Sequence, residues 1–170
     1  MKFEDALSLR ASGHVKRWHT IRTLTQQTVA EHSGQALTLL LILHPDPSMN
    51  LVKALLWHDS SERLVGDIPA PIRRAFPSFA AEYEQLELVV AMKHHPSAIV
   101  DLTDDEKRWL KAIDTLELLM HVAEEIKLGN AAFRAIYVRA LDYLLTDATP
   151  VEVREFIDWY ESNGYQVTFA

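Results

Sequence analysis

The sequence predicts an all-α protein in which residues 1–170 form a single domain, a bundle of about seven helices. Glycine is scarce, at five of 170 residues, and the apolar side chains recur mostly at helical spacing. No pair of segments has the alternation expected of two paired strands, although the C-terminal residues 164–170 have a strand-like composition. A chain of this length can bury a sizeable hydrophobic core without disulfides or other staples.

The first helices are predicted from caps that precede apolar stretches. Thr28 and Glu31 have the spacing of a capping box, and the apolar run that follows predicts a helix over residues 28–43. After a loop rich in proline, Asn50 is a candidate cap for a second helix over residues 50–64.

The remainder of the chain is also predicted to be helical. The proline-rich residues 67–74 indicate a connection that holds at most one short helix. Further helices are predicted over residues 79–95, 103–128, 131–145 and 151–163. Thr103 and Glu106 form a second capping box, and Thr149 with Pro150 supplies a cap and a first-turn proline for the last helix.

Composition excludes several classes of function. The chain has no cysteine, so any transition metal must be held by histidine and carboxylate side chains. A net charge of −7 argues against binding a nucleic-acid polymer, but it permits a small anion held by a few local cations. Neither a signal peptide nor a membrane span of about 18 apolar residues is apparent. We therefore expect a cytoplasmic protein, in the host cytoplasm if the gene belongs to a phage.

Polar residues interrupt otherwise apolar predicted helices at a small number of positions. They are His32, His58, Asp59, Glu62 and Asp114. A buried carboxylate such as Asp114 is costly unless it meets a cation or strong donors. Two imidazoles and two carboxylates from three helices suit a divalent transition metal and leave positions open for water and substrate. Taken singly, His32 is also explained as a hydrogen-bonded core residue, and Asp114 as the partner of a core arginine.

The order of a histidine, an adjacent His-Asp pair and a distant aspartate on helices resembles the HD-domain metal phosphohydrolase superfamily. Five sequence words strengthen the resemblance: "RW" at 17–18, "VAEHS" at 29–33, "HDSSE" at 58–62, "GDIPAPIR" at 66–73 and "KAID" at 111–114. Together they are similar to the bacterial 5′-deoxynucleotidases and to compact phage enzymes that hydrolyse dATP to deoxyadenosine and triphosphate. The resemblance covers about residues 14–120.

The resemblance implies a metal centre with carboxylates beside it. The implied ligands of one divalent transition metal (Co, Zn, Mn or Fe) are His32, His58, Asp59 and Asp114. It also allows an additional divalent metal on the phosphates of the substrate. Glu62 matches the carboxylate that positions or deprotonates the attacking water, and Asp67 matches a second acidic residue of the site.

The same resemblance implies contacts with a 2′-deoxynucleotide. Arg17 and Lys111 match phosphate contacts, and Arg73 stands where relatives often have lysine, which keeps the charge but changes the geometry. Trp18 matches an aromatic side chain that packs on the deoxyribose and disfavours a 2′-hydroxyl. Each also has an ordinary interpretation, as surface cations for the three basic residues and as a core residue for Trp18.

Two activities fit these residues, because both cleave the same phosphorus–oxygen bond. The main hypothesis is hydrolysis of dATP to deoxyadenosine and triphosphate. It is favoured narrowly by "RWH" rather than "RWP" at residues 17–19, by the short chain between Asp59 and Asp114, and by the cations Arg73, Arg74 and Lys111. The alternative is a 5′-deoxynucleotidase acting on deoxynucleoside monophosphates. A third hypothesis is a non-catalytic helical binding module.

Further expectations concern assembly and a second histidine pair. Related enzymes form homo-oligomers, and the apolar C-terminal helices are a candidate interface for a homo-oligomer of this chain. No nucleic-acid polymer and no membrane is expected as a partner. His94 and His95 end a predicted helix, where we interpret them as surface residues rather than as a second metal site.

Overall fold

The computed structural model describes residues 3–167, and it confirms the predicted all-α class within that range. The helices are α1 (Phe3–Ser12), α2 (Val29–Leu43), α3 (Met49–Trp57), α4 (Glu62–Val65), α5 (Ala70–Ala75), α6 (Pro77–His94), α7 (Asp104–Lys127), α8 (Arg134–Leu144) and α9 (Val151–Ser162). Short 3-10 turns occupy Pro96–Ala98 and Ala131–Phe133. The sequence predicts fewer helices because α4 and α5 are only four and six residues long. Helix α1 was missed because it buries Asp5 and Ser12 instead of an apolar stripe.

Helix α7 is the centre of the molecule. Its apolar face, which includes Ile113, Leu116 and Leu119, is buried against α2, α3, α8 and α9. Those helices contribute further fully buried apolar side chains, such as Leu40 and Leu55. Burial of this apolar area provides the main stabilising free energy of the fold. Any polar group that α7 points inward must therefore find its partner inside the bundle.

Both predicted capping boxes are confirmed. The amide of Glu31 donates to Thr28 Oγ1 over 3.3 Å, and the amide of Thr28 donates to Glu31 Oε2 over 2.7 Å. Thr103 and Glu106 make the same reciprocal pair at the start of α7. These caps satisfy amides that have no partner within the helix, and they fix the first residue of α2 and of α7.

The single helix predicted over residues 50–64 is wrong, because the chain turns sharply in its middle. Helix α3 ends at Trp57 and α4 begins at Glu62. Between them the amide of Ser60 donates to Trp57 O over 3.0 Å, and the amide of Glu62 donates to Asp59 O over 3.2 Å. These i→i−3 bonds wind the chain more tightly than an α-helix does. The turn presents His58 and Asp59, which the apolar periodicity alone placed on a continuous helix.

Two predicted caps also differ from the structure. Ser48, not Asn50, caps α3, since its hydroxyl accepts from the amide of Leu51 over 3.1 Å. Thr149 does not cap α9, because its hydroxyl donates to the carbonyl of Tyr143 over 3.2 Å. In both cases a neighbouring polar side chain or a tertiary contact competes with the cap that the local sequence suggests.

The strand-like tail expected at residues 164–170 lies partly outside the described residues. Its described part, residues 164–167, forms no strand. Across residues 3–167, none of the helices has both the length and the apolar character that crossing a lipid bilayer would require.

A buried carboxylate on α7 holds the long loop between α1 and α2. Glu125 accepts hydrogen bonds from the amides of Leu24 (2.8 Å) and Thr25 (2.6 Å), from the Thr25 hydroxyl, and from Asn130 Nδ2 at 2.7 Å. Burial raises the pKa of Glu125, but these hydrogen bonds lower it by more, to about 2. The carboxylate is therefore ionised at neutral pH and fixes the loop to α7.

We expect Glu125→Ala to lower the free energy of unfolding by about 2–4 kcal/mol at pH 7, because several buried donors lose a charged acceptor. The low pKa in the folded state means that this contribution is present above the ordinary value of 4.5 and is lost as the pH falls toward about 2. Urea unfolding at pH 7 and at pH 3 measures the difference. Glu124→Ala, at the exposed neighbouring position, is the control. A loss no larger than in that control would contradict the anchoring role.

Candidate metal centre and nucleotide site

Four ligand atoms meet where α2, the turn after α3 and α7 approach one another. They are His32 Nε2, His58 Nε2, Asp59 Oδ2 and Asp114 Oδ1. His32 Nε2 lies 3.3 Å from His58 Nε2 and 3.2 Å from Asp114 Oδ1. His58 Nε2 lies 3.2 Å from Asp59 Oδ2 and 3.6 Å from Asp114 Oδ1. The structure thus brings together all four residues that the sequence suggests as metal ligands.

The hydrogen bonds of the two imidazoles show that this space favours a cation. His32 Nδ1 contacts the Glu117 carboxylate, and His58 Nδ1 lies 2.7 Å from the carbonyl oxygen of Leu55. Both partners are acceptors, so each Nδ1 carries a proton. In the neutral rings the lone pairs of both Nε2 atoms then point toward each other and toward two carboxylates. Only a proton or a metal cation between them relieves the repulsion.

The spacing of the four atoms also fits a transition metal. Ligands about 2.0–2.1 Å from zinc in a tetrahedral site lie roughly 3.3 Å apart, and octahedral neighbours lie slightly closer. Four of the separations fall between 3.2 and 3.6 Å, and the fifth, from His32 Nε2 to Asp59 Oδ2, is 3.9 Å. The atoms of His32, His58 and Asp59 form a group in which every pair lies within 4.8 Å, and Asp114 approaches this group through the two imidazoles. Two imidazoles with two carboxylates are a suitable donor set for Zn²⁺, Co²⁺, Mn²⁺ or Fe²⁺.

Opposite charges couple these groups strongly. Burial lowers the pKa of His58, but Asp59 and Asp114 raise it by more, so that it lies well above its ordinary value. Burial raises the pKa of Asp114, yet its hydrogen bonds to His32 and His58 keep it well below its ordinary value. The carboxylates therefore stay ionised and keep the potential at the site negative.

Glu62 lies beside this centre at the start of α4. Burial and then the charges of Asp59 and Asp67 raise the pKa of Glu62 to about 8. A carboxyl group with such a pKa can hold or accept a proton near neutral pH. Asp67 is more exposed and lies 4.0 Å from His19 Nδ1. The charge of Asp67 contributes to the raised pKa of Glu62.

Arg17 and Trp18 reach the site from the loop between α1 and α2. The Arg17 guanidinium contacts Asp59 Oδ2, and the amide of Arg17 donates to the carbonyl of Gln27 over 2.9 Å. Trp18 has φ = 63°, in the left-handed region that a side chain of this size rarely adopts. Such a conformation costs free energy and persists only where surrounding contacts enforce it.

Three contacts enforce the position of Trp18. Its ring stacks on His121 with the centroids 5.7 Å apart, and it meets Phe133 edge-on at 5.0 Å. Its Nε1 donates to Gln27 Oε1 over 3.2 Å. The indole is therefore held in one orientation between the loop before α2, α7 and the 3-10 turn that carries Phe133.

The other two predicted phosphate contacts, Lys111 and Arg73, differ in their exposure and in their partners. Lys111 Nζ lies 3.4 Å from Asp114 Oδ2, and the side chain is 61% exposed, so it can turn to a phosphate. Arg73 instead lies 3.6 Å from Glu87, donates to the carbonyl of Ile68 and sits 5.5 Å from the ring centre of Tyr83. The structure therefore places Arg73 in the contact between α5 and α6, where it is paired with Glu87.

Sequence reasoning missed several residues that support the site. Glu117, only 2% exposed, contacts His32, and Gln27 is buried between Glu117 and Trp18. Glu117 interrupts the apolar face of α7 just as Asp114 does, so the same pattern could have revealed it. Gln27 lies in a loop without periodicity and carries no such signal. The interpretation of His95 as a surface residue is wrong, because its side chain is fully buried.

One face of α7 carries four polar residues that reach the site and the loop before α2. Asp114, Glu117, His121 and Glu125 follow one another at intervals of three or four residues, so they lie along one stripe of the helix. In order, they face the metal centre, support His32, stack on Trp18 and anchor the loop.

Fold and donor set together define a helical HD-domain phosphohydrolase. The chain belongs to the family of YfbR-like 5′-deoxynucleotidases, whose pattern it matches over residues 7–163. Among its relatives are the 5′-deoxynucleotidases VV1113 of Vibrio vulnificus and PBPRA2627 of Photobacterium profundum, each 28% identical with 86% of both chains covered. A 5′-deoxynucleotidase of Yersinia pestis is 28% identical over 70% of this chain and 72% of the relative.

A solved structure has the same fold. It is the HD phosphohydrolase DatZ of cyanophage S-2L, bound to dA and one catalytic Zn²⁺ ion, which superposes with a TM-score of 0.67. The match covers 92% of this chain and 94% of the phage chain at 18% sequence identity. The likeness confirms the HD-domain architecture for this chain.

We expect Glu62→Gln to raise the melting temperature of the metal-free protein. The pKa of about 8 in the folded state exceeds the ordinary 4.5, so ionisation of Glu62 destabilises the fold increasingly as the pH rises between those values. Glutamine removes this cost. The difference in melting temperature between Glu62→Gln and the wild type should therefore grow from about pH 5 to pH 8 and stay constant above pH 8. Thermal unfolding in chelator measures it, with Glu84→Gln on the exposed face of α6 as control. A pH-independent difference would refute the raised pKa.

Proposed function

We propose that this protein is a metal-dependent 5′-deoxynucleotidase, which hydrolyses deoxynucleoside monophosphates to a deoxynucleoside and orthophosphate. The observation that carries the proposal is the convergence of His32, His58, Asp59 and Asp114, with Arg17 in contact with Asp59. Membership in the YfbR-like family supports the substrate class. In this reaction the P–O5′ bond breaks, a bond from water to phosphorus forms, and O5′ receives a proton.

The four converging residues would hold one divalent transition metal, as the phage structure's catalytic Zn²⁺ suggests by analogy. When bound, the metal supplies Lewis-acid polarisation of the phosphate and lowers the pKa of water. Glu117 and the Leu55 carbonyl hold His32 and His58 with the Nε2 lone pairs turned inward. Orientation of the ligands thus depends on buried partners on α3 and α7.

Glu62 takes the proton of the attacking water in the proposed reaction. Its partly buried position and its neighbours Asp59 and Asp67 raise its proton affinity, which suits a base that operates near neutral pH. Asp67 contributes to that affinity through its charge. A glutamine at position 62 would still form hydrogen bonds but could not accept the proton.

Arg17 and Lys111 bind the phosphate, and Trp18 selects the sugar. Both cations contact carboxylates of the metal centre, so each lies within reach of a phosphate bound there. They also offset the negative potential that would otherwise repel an anion. We infer that the indole of Trp18, held by His121 and Phe133, excludes a 2′-hydroxyl, so that ribonucleotides are rejected sterically.

The balance of charge favours a monophosphate over a triphosphate. The sequence-based preference for dATP counted Arg73 as a phosphate contact, but Arg73 is paired with Glu87. A triphosphate brings at least two more negative charges into a region that already contains Asp59, Glu62 and Asp114. Hydrolysis of dATP to triphosphate remains the second candidate because Lys111 is exposed enough to reach a further phosphate. An additional divalent metal on the phosphates would offset part of the extra charge in that candidate.

The purified protein loaded with Mn²⁺ or Co²⁺ should convert dAMP to deoxyadenosine and orthophosphate, with dATP and AMP each at least about 10-fold slower. Separation of the products identifies which phosphates leave. Release of intact triphosphate from dATP, faster than dAMP is consumed, would favour the second candidate.

His58→Ala is the matched test of the metal centre, with His14→Ala at an exposed position as control. We expect His58→Ala to lose bound metal and at least about 100-fold of the activity, while His14→Ala retains both. Undiminished metal content in His58→Ala would contradict the assigned ligand set. Absence of bound metal from the purified protein, together with unchanged function in His58→Ala, would favour a non-catalytic module.

We also propose that the protein is a homo-oligomer that associates through α6 rather than through its C-terminal helices. Of the side chains on this 18-residue helix, only Tyr83 is buried. Phe79, Leu86, Val89 and Met92 are 48–60% exposed and recur at helical spacing. A second copy presenting the same apolar stripe would cover it by two-fold symmetry.

Light scattering should give a mass above the 19.4 kDa of one chain, and Val89→Glu should shift it toward the monomer. Glu84→Gln, on the same helix, is the control because it leaves the stripe intact. A wild-type protein that is monomeric at micromolar concentration would refute this assembly.

A further inference from the structure

A continuous chain of hydrogen bonds joins the metal centre to the wall of the sugar site. Trp18 Nε1 donates to Gln27 Oε1 over 3.2 Å, and Gln27 Nε2 donates to Glu117 Oε1 over 2.7 Å. The second oxygen of Glu117 contacts His32 Nδ1. Gln27, Glu117 and His32 are at most 4% exposed, so water does not compete for these bonds. The chain crosses from the loop before α2 to α7 and back to α2.

The direction of each hydrogen bond in this chain follows from which of its two groups can donate and which can accept. An indole N–H can only donate, so it turns the oxygen of Gln27 toward Trp18. The amide nitrogen of Gln27 then faces Glu117 and requires an acceptor there. Glu117, being a carboxylate, accepts from Gln27 with one oxygen and from His32 with the other. His32 is left with its Nε2 lone pair directed at the metal centre.

We propose that Gln27 and Glu117 are positioning residues that couple metal binding at His32 to the orientation of Trp18, and thereby to the choice of deoxyribose over ribose. The metal and sugar roles of this coupling rest on the proposed function. Neither residue touches the reacting atoms. Their effect passes through a ligand at one end and through the sugar wall at the other.

The backbone of Trp18 makes such support necessary. The backbone of Trp18 at φ = 63° is strained, so rotation of Trp18 to a more common conformation would lower the free energy of the loop unless contacts hold the side chain in place. Stacking on His121 and the edge-on contact with Phe133 are less directional than the hydrogen bond to Gln27, which fixes the orientation of Nε1. A loosened indole would leave space for a 2′-hydroxyl.

The coupling can be measured without any nucleotide. In the ¹⁵N-labelled protein the indole resonance of Trp18, assigned with Trp18→Phe, should shift when Zn²⁺ is added. In Gln27→Met most of this shift should disappear. The indole of Trp57, next to His58 in the chain, should shift in both proteins and reports that the metal is bound. Gln26→Met, the same change at the exposed neighbour, should behave as the wild type.

Glu117→Gln tests the other link. One glutamine cannot accept from both His32 and Gln27, so a donor must face a donor somewhere between His32 and Trp18. We expect a Zn²⁺ dissociation constant raised about 10–100-fold and loss of the Trp18 response at saturating Zn²⁺. In Gln27→Met the dissociation constant should stay within about threefold of the wild type.

Sugar selection provides the functional readout. The ratio of kcat/KM for dAMP to kcat/KM for AMP should fall about 10-fold in both variants. This ratio does not depend on the fraction of loaded enzyme, because both substrates meet the same preparation. A retained Trp18 response in Gln27→Met overturns the coupling, and an unchanged ratio overturns its role in selection. A wild type that shows the resonance response but hydrolyses no nucleotide refutes the proposed function instead.

Discussion

The contact between His32 and Glu117 is the constraint around which the site is built. It lies where α2 packs on α7, among side chains as apolar as Leu40 and Ile113, and both partners are almost completely buried. Either group alone would be costly there, because a buried polar group without a partner loses its hydration. The pair therefore fixes how the two helices meet. Once they meet in this way, His32 Nε2 faces both Asp114 on α7 and His58 in the turn after α3.

The turn at residues 58–61 and the loop before α2 add what the helices cannot supply. A continuous helix would direct His58 and Asp59 about 100° apart, whereas the tight turn lets both face one point. The loop brings Arg17 to the carboxylates and Trp18 to the side of the site. Helices α2 and α7 thus hold two of the candidate ligands, while irregular segments hold the other two and present the groups that we propose to meet the substrate.

Much of the site was accessible from the sequence because polar residues within apolar helices are costly and therefore conspicuous. His32 and Asp114 follow this rule, and the capping boxes located the helices that carry them. The break at Trp57 was not accessible, since the periodicity continues through it. The pairing of Arg73 with Glu87 was also hidden, because it joins α5 to α6 and depends on how they pack. Gln27 acquires its role only through partners distant in the chain.

The polar stripe along α7 restricts how the length of this chain can change during evolution. A single residue inserted between Asp114 and Glu125 would rotate the second half of the stripe by about 100° relative to the first. The loop anchor and the Trp18 stack would then face away from the metal centre, although every residue would still be present. Insertions in the loop before α2 avoid this penalty wherever they leave Leu24 and Thr25 on Glu125. Differences in length among related chains are thus expected in that loop and not in α7.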